Sequence, residues 1–135
     1  TAALADGTLT WCTGPQTLAN HTIPTLKAAA DKAGRDSTRV IAALPVCVTN
    51  DREAALQRAA QVFVVYGQLP SYRAMLDKEG AAGPADIAII GNASEVADRI
   101  MALAEIGVTD FAAVEFGATP DEVAETRALV KSLLK

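Results

Sequence analysis

Apolar positions in this chain fall into short continuous runs that alternate with segments spaced at three and four residues. Gly7-Thr8-Leu9-Thr10-Trp11-Cys12 is rich in β-formers and stops at Thr13-Gly14-Pro15, where a polar cap and a proline in the first turn predict the start of a helix. That helix runs from Pro15 to Ala33 on Leu18, Ile23, Leu26 and Ala28-Ala29-Ala30; Gly34 ends it, and Pro24 kinks or divides it near His21 to Ile23. Arg39 to Thr49 is almost unbroken in its apolar character, as expected of a strand covered on both faces. Asn50, with Glu53 three residues on, predicts a cap for a helix to about Tyr66 that stops at Gly67. A shorter helix, Ser71 to Glu79, follows Pro70, and Ala81 to Pro84 form a turn.

The last third has the clearest local grammar. Asn92-Ala93-Ser94-Glu95 opens a helix with Val96, Ile100, Leu103 and Ala104 on its inner face, and Gly107 closes it. Thr109 to Phe116 reads as a strand, and Thr119-Pro120-Asp121-Glu122 starts a terminal helix to Leu134. Three strands separated by helical segments predict an α/β fold with right-handed crossovers and a parallel sheet.

Composition narrows the class. With 135 residues, 50% hydrophobic and 21% charged, residues 1–135 form one globular unit, and disorder, collagen and a disulfide scaffold are excluded. Twelve basic residues scattered among sixteen acidic ones leave no footprint for nucleic acid or an anionic membrane. No apolar stretch approaches the roughly 18 residues of a membrane helix and no signal-peptide pattern opens the chain, so the expected location is cytoplasmic. The start at Thr1-Ala2-Ala3, without Met, fits a fragment or a processed product.

The sequence holds no phosphate-binding glycine loop, HExxH or CxxC metal pattern, or GxSxG elbow. Cys12 and Cys47 lie far apart in apolar stretches and read as reduced core thiols, with no metal expected. His21, the only histidine, sits beside a proline and reads as structural or superficial. Glu115 ends a strand, where α/β enzymes place catalytic groups, but has no second carboxylate near it, so a solvated or salt-bridged role is expected. Gly91-Asn92 reads as an N-cap, with a phosphate cradle as the alternative. The best local candidate is Trp11-Cys12-Thr13-Gly14-Pro15: an aromatic, a hydroxyl and a glycine at a strand end with helix N–H groups beyond, able to take an anion or a flat ring. A core tryptophan beside an ordinary cap is the alternative.

At these residues the chain resembles the C-terminal part of the luciferase-like monooxygenase family, in its actinobacterial branch of deazaflavin-dependent oxidoreductases. The resemblance is carried by Leu4-Ala5-Asp6-Gly7-Thr8-Leu9-Thr10-Trp11, Gly14-Pro15-Gln16-Thr17-Leu18, Ala43-Leu44-Pro45-Val46-Cys47-Val48-Thr49 and Tyr66-Gly67-Gln68-Leu69-Pro70-Ser71-Tyr72. Ile89-Ile90-Gly91-Asn92 and Ala104-Glu105-Ile106-Gly107-Val108-Thr109-Asp110-Phe111 continue it over essentially the whole chain. It implies a partial (β/α)8 TIM barrel: about the last three parallel strands of a fold of about 250 residues, with the helices around Asp51 to Glu79 inserted over the barrel mouth. It also implies a deazaflavin coenzyme (F-420) or FMN, hydride transfer or monooxygenation on a small-molecule substrate, and Trp11, Thr13 and Gly14 as cofactor- or substrate-binding residues. No catalytic residue is assigned, because the family's acid/base and ring-binding groups lie on earlier strands.

Three readings follow. The first is the C-terminal portion of such an oxidoreductase, inactive as this fragment. The second is a free-standing α/β binding or interaction module without catalysis. The third is a self-sufficient enzyme with a site at Trp11 and Glu115. A missing N-terminal half of the barrel or a homodimer is the expected partner, since a half-barrel leaves strand edges and one apolar face open.

Overall fold

The order of strands and helices places β2 (Arg39–Val48) at the centre of an open parallel sheet in the computed structural model, which describes residues 1–36 and 38–133. β1 (Gly7–Trp11) pairs along Arg39 to Ala43 of β2, β3 (Ile89–Gly91) pairs along Val46 to Val48, and β4 (Asp110–Glu115) pairs along Ile41 to Val46. Val46 is paired with both β3 and β4, and Ile41 to Ala43 with both β1 and β4. β1 and β3 therefore share one edge of β2, end to end, and β4 takes the other. The three expected strands are present, and β3 is a fourth that the residue pattern did not reveal.

The registers explain two details. Ala43 accepts from the Cys12 N–H on the β1 edge, so Pro45, two residues on, directs its nitrogen to the same edge. There β1 has ended and β3 has not begun, so a proline inside a central strand forfeits no ladder bond. On the opposite edge β4 stops short of Val48, and the Val48 N–H is taken by the buried Thr126 hydroxyl at 2.9 Å.

The helices are α1 (Pro15–Thr17), α2 (Ile23–Lys32), α3 (Arg52–Val62), α4 (Val64–Gln68), α5 (Pro70–Glu79), α6 (Pro84–Ile87), α7 (Ala93–Glu105) and α8 (Pro120–Ser132). A π-helical turn, Leu18–Thr22, joins α1 to α2 where Pro24 removes an N–H from the regular ladder. Asp51, and not Asn50, caps α3 by accepting from the Ala54 N–H, and the helix expected to reach Tyr66 breaks at Phe63. Asn92 and Glu95 form the expected capping box, and Thr119 caps α8. The expected extension of α8 to Leu134 falls outside the described residues.

The core lies mainly on one side of the sheet. Val40, Ala42, Leu44, Val46 and Val48 alternate along β2 toward Leu18, Val96, Ile100 and Leu103, with Ile23, Leu26, Leu129 and Val130 closing the margin. Ala104, expected on the inner face of α7, is exposed and faces a groove beside α8. A smaller cluster covers the other side of the sheet at its C-terminal end: Cys47, Ala55, Ala59, Phe63, Ile90 and Phe116.

Candidate functional site

The C-terminal ends of the strands meet the inserted helices at Trp11. In-register pairing of Trp11, Ala43 and Ala112 puts these three residues on the same sheet face. Phe63 and Tyr66 stand edge-on to the indole, at 5.8 and 5.5 Å between centroids, and Tyr72 of α5 backs Tyr66 at 5.1 Å. The Trp11 Nε1–H is buried without a hydrogen-bond partner. The next residue, Cys12, has φ of 51°, a left-handed conformation that costs a non-glycine residue energy and that persists where surrounding structure enforces it. That turn sends the Cys12 thiol into the main core, where burial pushes it up to about 12, and it brings Thr13 and Gly14 to buried positions.

Thr13 is not the helix cap. Gly14 takes the N-cap position without a side-chain bond, and the first N–H groups are satisfied by Glu79 at the end of α5. Its carboxylate accepts from the Gln16 N–H at 3.1 Å, the Thr17 N–H at 2.7 Å and the Thr17 hydroxyl at 2.9 Å. A Cβ on Gly14 would come within 2.3 Å of the Glu79 side chain, so glycine is needed for the carboxylate to approach. The anion that the helix start could take is thus the chain's own. The same holds at Gly91, where a Cβ would meet the Glu95 carboxylate, and at Ala118, whose N–H donates to Glu122. Gly91-Asn92 is therefore a capped helix start.

Glu122 carries a second junction. It accepts from the Thr49 hydroxyl and the Ala118 N–H, and Arg58 of α3 reaches it at 3.3 Å while also donating to the Phe116 carbonyl. These bonds, the Ala118 N–H foremost, hold the Glu122 carboxyl below the usual carboxylate range. Its sequence signal was the capping pattern alone.

The remaining candidates separate. Glu115 is three residues beyond Ala112, so it points to the opposite sheet face from Trp11, where Arg127 of α8 binds it in a fork at 2.9 and 2.6 Å. A site uniting Trp11 with Glu115 does not form. His21 is exposed on the π-helical turn, and Cys47 is a buried free thiol. Hollows of about 510 and 250 Å³ flank the N-terminal ends of β2 and β4, bordered by α2, α7 and α8. They lie at the other end of the strands from Trp11; aliphatic side chains dominate the larger, and Lys27, Asp31 and Asp36 also line the smaller. Among the described residues no helix is long and apolar enough to cross a membrane, and no group of three or more metal-ligating side chains occurs.

The sequence profile described as luciferase-like monooxygenase matches residues 1–128. The chain belongs to the luciferase-like monooxygenase family. Solved structures that share the fold include two at 21% and 20% identity. One is the coenzyme F-420 dependent tetrahydromethanopterin reductase from Methanopyrus kandleri, with TM-score 0.70 and 21% identity, covering 96% of this chain and 44% of that one. The other is the monooxygenase RslO1 from Streptomyces bottropensis, with TM-score 0.61 and 20% identity, covering 98% and 42%. Comparison with curated protein sequences returns no match. The luciferase-like chain thus spans less than half the length of either structure, and its open sheet corresponds to part of a luciferase-like barrel.

Proposed function

We propose that this chain is the C-terminal portion of a cytoplasmic flavin- or deazaflavin-dependent oxidoreductase, with Trp11 lining the cofactor or substrate pocket and Thr13 and Gly14 forming the buried turn that carries it. One observation carries the reading: a buried indole N–H without an acceptor, at the C-terminal end of a barrel-type strand beside a strained Cys12. Coenzyme F-420 and FMN both have flat rings edged with carbonyl acceptors, so an orphaned donor beside aromatic walls fits either. When bound, such a group supplies hydride chemistry. The chain's share is to donate from Trp11, to shield one side of the ring from water with Phe63, Tyr66 and Tyr72, and to fix the β1–α1 turn through Glu79. Among the described residues Glu79 and the Glu122–Arg58 pair at this end are taken up in structural hydrogen bonds, so the 135 residues alone should neither turn over nor hold the cofactor tightly.

Titration of the intact protein with coenzyme F-420 and FMN, followed by fluorescence, tests this. Replacing Trp11 with Phe keeps an aromatic ring and deletes the N–H, and the expected loss in affinity is about tenfold. Unchanged affinity for both compounds would remove Trp11 from the site. A second reading, a non-catalytic module that self-associates, is favoured by Leu9, which is 61% exposed on the sheet face that carries Trp11, and by the open outer edges of β1 and β4 among the described residues. Sedimentation as a dimer with no affinity for either cofactor would select it.

A further inference from the structure

We propose that Glu79 is the positioning residue of the Trp11 site, holding both the turn after β1 and the aromatic wall against which the indole stands. This rests on reading the Trp11 end as the pocket. At Asn92 and Ala118 the helix-start N–H is taken by a carboxylate of the same helix, Glu95 three residues on and Glu122 four residues on; Glu122 also reaches Thr49 and Arg58, but not the Trp11 turn. Glu79 bonds Gln16 and Thr17 across 63 and 62 residues of sequence, so it joins two separate segments.

Both segments end at Trp11. On one side, the Glu79 carboxylate fixes Gln16 and Thr17 and lies within contact of Gly14, three residues beyond the indole and two beyond the strained Cys12. The left-handed Cys12 is held from the strand side by its own N–H donating to Ala43. From the helix side it is held by the turn that Glu79 anchors. On the other side, α5 carries Tyr72 in the same helix as Glu79, and Tyr72 passes its position to Tyr66 and so to Trp11. Thr17 reinforces the junction by directing its hydroxyl to both the Glu79 carboxylate and the Met75 carbonyl of α5. Releasing Glu79 frees the turn and the wall together.

Gly14 offers an independent way to expel the carboxylate, because an added methyl would occupy its place. The experiment compares Glu79→Ala, Glu79→Gln, Gly14→Ala and the double variant Gly14→Ala/Glu79→Ala. Each is made in the intact protein labelled with 5-fluorotryptophan, with the Trp11 resonance assigned by Trp11→Phe and no flavin or deazaflavin present. Both alanine variants should move the Trp11 fluorine resonance the same way and speed amide exchange at Gln16 and Thr17 about tenfold. The double variant should go no further than either alone, and Glu79→Gln, which keeps one acceptor, should fall between. An unmoved resonance in the alanine variants, or additive shifts in the double variant, overturns the proposal. Should the alanine variants fail to fold, Glu79→Gln decides by the same resonance. A fall in melting temperature with the resonance unchanged marks a merely structural bond and also overturns it. Cofactor titration of the same variants then separates the two readings: a moved resonance with unaltered affinity for coenzyme F-420 and FMN keeps Glu79 as the anchor of Trp11 and sinks the pocket.

Discussion

The two faces of the sheet are built from the same strands and differ in what covers them. On one, Val40, Ala42, Leu44, Val46 and Val48 disappear beneath α2, α7 and α8. On the other, only the C-terminal end is closed, by Phe63, Ala55, Ala59 and Phe116 over Cys47. Toward the N-terminal ends that second face is open: Leu9 is exposed, and Arg39 and Asp110 form an ion pair across β2 and β4. The covered face carries stability, whereas the half-covered face places Trp11 at the edge of an enclosure. In a luciferase-like barrel this second face is the interior, where side chains from all strands fill the space.

The sharpest way to break this comparison is to truncate one leucine on each face. Leu44 is 1% exposed, and Leu44→Ala should cost about 3 kcal/mol in urea unfolding of this chain, from lost burial and an unfilled cavity. Leu9 is 61% exposed, so Leu9→Ala should cost less than about 0.5 kcal/mol. Equal costs would mean that the inner face is covered in solution, by a second copy or by further strands.

Next in size is the junction where the two layers meet around the strand ends. Glu122 belongs to α8 on the covered side and bonds Arg58 and Thr49 at the mouth, with side chains only about a quarter exposed (23% and 24% for Glu122 and Arg58). Glu122→Ala should lose about 2 kcal/mol, through the helix cap and the stranded guanidinium. The pH dependence follows from the lowered carboxyl. Its contribution is complete above the ordinary value of 4.5 and fades as pH falls through the lower folded value. Glu122→Gln should therefore flatten the acid limb of the stability curve, and an unchanged limb would assign the acid sensitivity elsewhere.

The covered face was legible in the residues and the mouth was not. β2 announced itself through an unbroken apolar run, and Thr119-Pro120-Asp121-Glu122 marked the start of α8, because both signals are local. Ile89-Ile90-Gly91 escaped notice as a strand because three residues show no periodicity. Asn50 and Asp51 are both competent caps, and only the backbone path chose Asp51. At the site, Trp11 and the glycine after it were visible as types. The carboxylate that fills the helix start comes from Glu79, and the walls come from Phe63 and Tyr66, all more than 50 positions away. Pairing at that distance leaves no trace in spacing.

The smallest effect probes the open end of the inner face. Arg39 donates to both carboxylate oxygens of Asp110, and the Thr109 hydroxyl adds a bond at 2.7 Å. Together they hold the Asp110 carboxyl down at about 2, the Arg39 bond contributing most. A carboxyl whose folded value is depressed stabilises the fold above its unfolded value, here 3.8, and the contribution drains away as pH falls through about 2. Because the pair faces water, the effect on global stability should be slight, and the site itself is the better reporter. Carboxyl-carbon NMR should show Asp110 titrating near 2, with a midpoint that moves up toward 3.8 in Arg39→Ala and to an intermediate value in Thr109→Val. High salt should raise it partway if the face is open, since exposed charges are screened. A midpoint indifferent to salt would mean that the ion pair is enclosed, and with it the apolar face around Leu9.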